Sequence, residues 1–389
     1  MSKLLFIFER DMPTVSITRD VFSNLHNYGD IISSFQYLTD VKPADIDTHD
    51  VIVFMRPEDT YSWKVAKAAR KAGHSVVTFC DDDLLNLPPS SPTLPWRKRG
   101  LIKTLSHSDV IWSSSRYIAE KYRNMTAGKR VVIGDTILRP EELNDIPIAD
   151  NDKVKIVYAA ASSHAELYEK YIAPIMKQLA EEFDLSLTFV SVHPSSGGVE
   201  CEYIPGMPLR EYREFMKKSH FDIGLAPLHN DDFSKCKYFN KFIEYTTHGI
   251  VGVYSDTEPY TYVVKDGVNG FLASDNPESW YLAIKKAIQD KEKRKDCVEN
   301  AIDYLRRQHS EEACIERIRQ GLPEILETEG GYKKCRRFGA QKLLYYLSRP
   351  LDWLYLTGFY LKHTGIKAVI KRTKTHFAEA KAYNRRAEK

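Results

Sequence analysis

The sequence predicts an α/β protein made of two doubly wound, Rossmann-like domains facing a central cleft, with a basic helical tail. Three observations lead there. Short apolar runs alternate with helix-period segments from Lys3 onward, the pattern of parallel βαβ units. At 389 residues the chain is longer than one core usually supports. A polar, proline-bearing stretch without periodicity, PEELNDIPIADND at 140–152, separates two such alternating series. The expected units are 1–145, 146–310 and a closing segment, 311–389.

In the first unit, residues 3–8, 51–55, 75–79, 110–112 and 131–133 read as strands. Helical periodicity covers about 15–28 and 61–72, the latter closed by Gly73 as a C-cap. Parallel sheets of this kind bind ligands outside the carboxyl ends of their strands, so the residues that follow each strand carry the chemistry. After the first strand come Glu9, Arg10 and Asp11, then Ser16, Thr18 and Arg19. This loop lacks the glycines of a dinucleotide fingerprint, which argues against a nicotinamide or flavin domain. Arg56, Glu58 and Asp59 follow a later strand, and Asp81, Asp82 and Asp83 follow residues 75–79. Three aspartates at a strand end allow three readings. They are hard oxygen ligands for a divalent metal, caps and solvated carboxylates, or carboxylates facing the cleft to orient an acceptor hydroxyl. No metal is expected.

In the second unit a strand at 154–158 runs into small residues, Ala159 to Ser163, and then His164 and a long helix expected over 165–183. Small residues before a helix start let backbone N–H groups approach an anion, which makes Ser162, Ser163 and His164 candidate diphosphate contacts; an N-cap is the plainer alternative. The stretch 221–272 is the most informative. It reads as a strand ending at Pro227 and Leu228, a helix over 233–247, a further strand, and a helix and turn that include Tyr260. Lys237, Lys241 and Glu244, spaced i, i+4 and i+7, would share one face of that helix. The spacing suits surface ion pairs, and it equally suits two ammonium groups on a diphosphate beside a carboxylate that accepts from vicinal hydroxyls.

On these residues the chain resembles GT-B glycosyltransferases, most nearly glycosyltransferase family 4 (group 1). Asp222, Gly224, Pro227, Leu228, Phe233, Lys237, Lys241, Glu244, Tyr245, Gly249, Pro259, Tyr260, Asp266, Gly267 and Gly270 carry the resemblance. It is specific over 221–272 and weaker over the rest of 1–310. The resemblance implies a GT-B fold, a nucleotide-diphosphate sugar as donor and retention at the transferred carbon. It further implies that Glu244, the second acid of an E-x7-E motif, holds the ribose. The first acid falls on Cys236, a departure that some lysine-rich members share and that leaves a non-catalytic sugar-nucleotide or glycan-binding protein as the alternative. Arg19, Arg56 and the run from Asp81 to Leu85 are similar to members from surface-polysaccharide assembly.

The expected division of labour follows. Donor contacts are Glu244, Lys241, Lys237, Ser162, Ser163, His164, Pro227, Leu228 and Tyr260. Arg19, Arg56 and Asp83 stand on the acceptor side, and Asp81, Asp82, Arg19 and Lys237 are the catalytic candidates. The acceptor is expected to be a glycan or lipid-linked glycan, and no cofactor beyond the donor is expected.

Charge is unevenly spread. Residues 331–389 hold 15 Lys and Arg against 3 Asp and Glu, net +12, which leaves 41 against 50, net −9, for the rest. A basic tail on an acidic body points to an anionic partner. The apolar and aromatic run at 343–361 is interrupted by Arg349, Pro350 and Asp352, so it fits a segment in a membrane interface better than one crossing a bilayer. A helix packed on the first domain with a basic outer face is the alternative. No nucleic-acid module accompanies the charge. Six dispersed cysteines without a C-x-x-C pair, and a first strand with no leader before it, place the protein in the cytoplasm, at the inner membrane face if the tail binds there.

Overall fold

Leu4, Leu5, Phe6, Ile7 and Phe8 are buried in succession, as are Val51 to Met55. A strand hides consecutive side chains only when both of its faces are covered, the situation of a parallel sheet between helical layers. A computed structural model of the chain has this arrangement twice. It describes residues 2–10, 13–22, 31–87, 94–128, 130–134, 137–149, 151–161, 164–325, 327, 330–363, 365–366 and 369–370.

The first sheet is formed by β1 (Ser2–Phe8), β2 (Ile31–Tyr37), β3 (Val51–Met55), β4 (Ser75–Cys80), β5 (Val110–Ser113) and β6 (Arg130–Ile133). Its strands lie in the order β2-β1-β3-β4-β5-β6, all parallel. Between them run α1 (Pro13–Phe22), α2 (Pro43–Asp47), α3 (Ser62–Ala72), α4 (Pro95–Leu105) and α5 (Arg116–Arg123). The short α6 (Pro140–Leu143) leads into the second sheet.

That sheet is built from β7 (Val154–Ala159), β8 (Leu185–Val190), β9 (Cys201–Ile204), β10 (Ile223–Ala226), β11 (Val251–Ser255) and β12 (Phe271–Ala273). Its order, β12-β11-β10-β7-β8-β9, reverses direction between β10 and β7, which opens a crevice at their carboxyl ends. Its helices are α7 (Ala165–Tyr171), α8 (Ala173–Glu182), α9 (Leu209–Ser219), α10 (Asn240–Thr247), α11 (Tyr260–Val263), α12 (Pro277–Gln289) and α13 (Lys291–His309). The single long helix expected over 165–183 is two, because the chain breaks at Ile172, before Pro174.

After α13 the chain returns to the first sheet. From α14 (Glu311–Gly321) Cys314, Ile315 and Ile318 pack with Val110, Trp112 and Val132. Then α15 (Gln341–His363) lies against α4, where Asp352 accepts from Trp96 Nε1 at 2.7 Å and Arg97 Nη2 at 2.8 Å. Pro350 stands within that helix. Among the described residues no helix is long and apolar enough to cross a membrane.

Two further contacts join the domains. Arg116 of α5 donates to the Tyr262 hydroxyl at 2.8 Å, with its guanidinium 4.3 Å from that ring. Cys236 is fully buried in a cluster otherwise drawn from the first domain, among them Leu84, Leu85, Ile118 and Tyr122.

Candidate functional site

The carboxyl ends of β3 and β4 face those of β7 and β10 across a cavity of about 400 Å³. Its first-domain wall carries Thr14, Thr18, Arg56, Asp81, Asp82 and Trp112; the second-domain wall carries His164, Pro227, Leu228, Lys237, Lys241 and Tyr260. The two walls come from different domains, and the fold sets them face to face.

On the first wall Arg56 is the organising group. Its Nη1 donates to Asp81 Oδ1 at 2.8 Å and Asp82 Oδ2 at 2.9 Å, and Nη2 lies 3.6 Å from Glu58 Oε1. Arg56 stands at the end of β3 with φ +44°, in the left-handed region, a conformation that costs about 1–3 kcal/mol away from glycine. Its amide is nonetheless bonded to Phe79 O at 2.9 Å, and its guanidinium meets three carboxylates, which offsets that cost. Thr14 Oγ1 donates to the other oxygen of Asp81 at 2.6 Å. Burial and, after the opposing pull of Arg56, the neighbouring charge of Asp82 raise the pKa of Asp81. Asp81 is thus a better proton acceptor than a solvated aspartate.

Asp83 turns the other way. It is completely buried and accepts from Lys121 Nζ at 2.7 Å, Tyr122 Oη at 2.8 Å and Asn86 Nδ2 at 3.0 Å. Burial works against its charge, but these hydrogen bonds outweigh it and hold the pKa below the ordinary value. It braces α5 and is not among the residues lining the cavity. Arg19, on α1, is likewise not among them; its guanidinium lies 5.5 Å from the rings of both Phe8 and Phe35.

On the second wall the helix expected over 233–247 is interrupted. A 3₁₀ turn at Ser234–Cys236 ends at Lys237, which is extended (φ −71°, ψ +162°), and α10 starts only at Asn240. Lys237 therefore does not share a helical face with Lys241 and Glu244, contrary to the spacing argument. It reaches the cavity from the turn, stacked 4.9 Å from the Phe233 ring, and Lys241 reaches it from the first turn of α10. His164 lies where both can be felt. Burial first, then the charges of Lys237, His229 and Lys241, lower its pKa to about 4, so the imidazole is neutral near pH 7 and the local field is positive. Asp11, Ser162 and Ser163 lie outside the described residues.

Pro227 and Leu228 are fixed by Ser255, whose Oγ accepts from Leu228 N at 2.8 Å. Tyr260 is buried beside Tyr254 with ring centroids 4.8 Å apart, and burial raises its pKa. Beneath them Tyr245 donates to Leu225 O at 2.8 Å, its ring against Gly224, where an added Cβ would come within 2.5 Å of it. Gly249 ends α10 at φ +71° with only 2.1 Å between a notional Cβ and Pro147 O. Both glycines are thus required for α10 to sit this close to β10 and the interdomain linker.

Glu244 opens onto an adjoining cavity of about 590 Å³, which shares Asn240 with the first and is also lined by Leu209 and Tyr212. Its Oε1 accepts from Tyr212 Oη at 2.5 Å and Lys241 Nζ at 2.6 Å. Tyr212, Asn240, Thr14 and Trp112 are the site residues that sequence reasoning missed. Thr14, after the first strand, and Trp112, at the end of another, had a signal in their position; Asn240, in the middle of the helix expected over 233–247, had none. Cys236 occupies no part of either lining. Burial pushes its thiol up to about 11, and its Sγ lies 3.9 Å from Lys121 Nζ, so it is a neutral packing group at the seam.

The arrangement can hold an extended polyanion with attached hydroxyl-bearing groups. Two ammonium groups face the space between the walls, a carboxylate stands at one end, and an arginine-bound aspartate pair stands opposite. Among the described residues no three His, Cys, Asp or Glu side chains gather as metal ligands.

Residues 241–304 match the family model described as glycosyl transferases group 1. No curated protein sequence matches the chain. Solved structures share its fold. A glycosyltransferase from Rickettsia africae superposes with a TM-score of 0.62 at 10% identity, over 84% of this chain and 99% of that one. HepE of Anabaena in complex with UDP-glucose gives 0.58 at 12%, over 83% and 100%. The lipopolysaccharide outer core galactosyltransferase WaaB gives 0.53 at 12%, over 83% and 100%. At such identities the likeness is one of fold: the chain has the two-domain GT-B architecture and resembles group 1 transferases over the α10–α13 segment.

Proposed function

We propose that this chain is a glycosyltransferase that moves a sugar from a nucleotide-diphosphate sugar to a glycan or lipid-linked glycan in surface-polysaccharide assembly. The observation that carries the reading is the convergence of Lys237, Lys241 and neutral His164 opposite the Arg56–Asp81–Asp82 cluster. The match at 241–304 supports it, since that segment contains Lys241 and Glu244. HepE is complexed with UDP-glucose, which makes uridine nucleotides the first donors to test.

In this reading Glu244, held by Tyr212 and Lys241, accepts from the ribose hydroxyls, and Lys241 and Lys237 meet the diphosphate. Pro227, Leu228 and Tyr260 wall the sugar. Asp81 receives the acceptor's proton as the acceptor oxygen bonds to the sugar carbon and the bond to the diphosphate breaks. The departing charge falls on the two lysines, whose placement needs no reorganisation. Arg56 sets the orientation of Asp81 and Asp82, while Arg19 and Asp83 support the acceptor wall from behind. Retention rests on the resemblance to the family.

Metal-independent turnover is part of the proposal. Asp81 and Asp82 already share a guanidinium, which leaves them poorly disposed to bind a divalent ion. Turnover that persists in excess chelator supports this, and its loss returns those aspartates to a metal role. The protein would act in the cytoplasm at the inner membrane face.

Cys236 favours a second reading, a sugar-nucleotide-binding protein without transfer, because a buried neutral thiol supplies no acid at that position. Incubation with UDP-glucose and membrane lipid extract separates the two. Release of UDP supports transfer, whereas saturable UDP binding without release supports the second reading.

A further inference from the structure

Helix α15 is amphipathic with its faces reversed. Gln341, Asp352 and Tyr360 are turned inward and buried, at 4%, 4% and 6% exposure. Asp352 is bound by Trp96 and Arg97 and lies 3.7 Å from Arg349, whose guanidinium stacks 3.8 Å from the Tyr345 ring. Turned outward are Leu343, Leu347, Leu351 and Leu354, exposed by 58%, 63%, 61% and 60%, with Tyr346 and Trp353 beside them. A helix on a water-facing surface places its leucines inward and its charges outward. Here the carboxylate is the anchor and the leucines form the outer stripe.

The surroundings identify what covers that stripe. Exposed Lys333, Lys334, Arg336, Arg337 and Lys342 precede it, and exposed Lys362 follows. The first turn of α4 holds α15, and the same helix packs on α3. At that junction Lys64, Lys67 and Lys103 surround Trp63 at 5.9, 6.0 and 4.8 Å from its ring. A second copy laid on this face would bring two sets of these exposed lysines and arginines against each other. Anionic headgroups would neutralise that charge while the leucines and tryptophans enter the acyl boundary. The helix is also too interrupted to span, so it lies along the surface.

We propose that α15, with the Trp63 surface of α3 and α4, seats the first domain on an anionic lipid bilayer. The acceptor side of the cleft thereby opens beside the membrane. The charges of Glu9 and Glu58 also act on Arg97, which binds Asp352, and Glu58 lies 3.6 Å from Arg56 on the cavity wall. This electrostatic path links the membrane-facing helix to the acceptor loops. Given the transfer reading above, on which this step rests, the acceptor is a lipid-borne glycan.

The test is flotation of the full chain with phosphatidylcholine vesicles, with and without phosphatidylglycerol, alongside Leu347→Glu/Leu351→Glu and Lys64→Glu/Lys67→Glu variants. The wild type is expected to float with the phosphatidylglycerol vesicles and to be released by high salt. The leucine variant should lose at least about tenfold in partitioning, and the lysine variant should lose its preference for the anionic lipid. The UDP-induced melting shift should be the same in all three proteins, which shows that each is folded and separates this proposal from donor binding. Failure of the wild type to float, or equal flotation of the leucine variant, overturns the proposal. So does a wild-type dimer that ignores vesicles and is dissociated by the leucine substitutions, since that would assign the stripe to a second copy.

Discussion

Tyr212 of α9 donates its phenol at 2.5 Å to Glu244 of α10, on the same carboxylate oxygen that accepts Lys241. The two bonds fix the side chain of Glu244, which lines the adjoining cavity, before any ligand arrives. Pre-fixing matters because a carboxylate that is ordered only on binding spends part of its binding energy on that ordering.

Glu244→Ala is expected to weaken UDP binding by about 1.5–3 kcal/mol, the usual worth of hydrogen bonds to a charged group, or roughly ten- to hundredfold. Tyr212→Phe should cost less, about 1 kcal/mol, since Lys241 still holds the carboxylate. Titration calorimetry with UDP measures both. An unchanged affinity in Glu244→Ala removes the ribose assignment.

Asp81→Asn should lower transfer by about 10²–10⁴-fold while UDP affinity stays as in the wild type, because a general base acts on the acceptor and not on the donor. Arg56→Met is expected to act differently. It leaves Asp81, Asp82 and Glu58 together without their common cation, and should reduce stability by about 1–3 kcal/mol, tempered by their partial exposure. Urea unfolding distinguishes the two: Asp81→Asn relieves one like charge, so only the arginine variant should be clearly destabilised.

His164 gives a pH dependence with a definite sign. Its folded pKa, about 4, lies below the ordinary value of 6.5. Between those values the unfolded chain binds a proton that the folded chain refuses, so stability is complete above about pH 6.5 and falls as pH drops towards 4. Urea unfolding at pH 7 and pH 5 should show a smaller loss in His164→Asn than in the wild type. Equal losses would mean that the imidazole titrates normally.

Restoring the family's first acid should not help this protein. Cys236→Glu would place a carboxylate in an apolar cluster where the nearest cation, Lys121, is already bound to Asp83 at 2.7 Å. Destabilisation by about 1–3 kcal/mol and reduced transfer are expected, from the loosened seam between the domains. Higher activity in the variant would show that the acid's role is merely vacant here.

The alternation of strands and helices was legible because buried parallel strands such as residues 4–8 and 51–55 are continuous apolar runs. β2 was not, since Ser33 and Ser34 interrupt its pattern and most of the strand is only partly buried. α13 was also passed over: its buried positions, Cys297, Val298, Ala301, Ile302 and Leu305, are embedded in a heavily charged segment. Within the site, Lys241 and Glu244 were found through their spacing, but the break at Lys237 was hidden because a 3₁₀ turn followed by a short helix keeps nearly the same sequence period. Nothing local marked Asp83 as turned inward while Asp81 and Asp82 face the cleft; that is decided by Lys121 and Tyr122 on α5. The reversed polarity of α15 was likewise invisible, because which face is buried depends on Trp96 and Arg97, some 250 residues away in sequence.

The central claim is sugar transfer from a nucleotide-diphosphate donor held by Glu244 and the two lysines. Its most direct test measures nucleotide release from a panel of nucleotide-diphosphate sugars, UDP-glucose first, on membrane lipid extract, with wild type and Glu244→Ala compared at equal concentration. The account predicts acceptor-dependent release from at least one donor, reduced at least about tenfold in the variant. Saturable donor binding with no release from any member of the panel, or release that Glu244→Ala leaves unchanged, would contradict it.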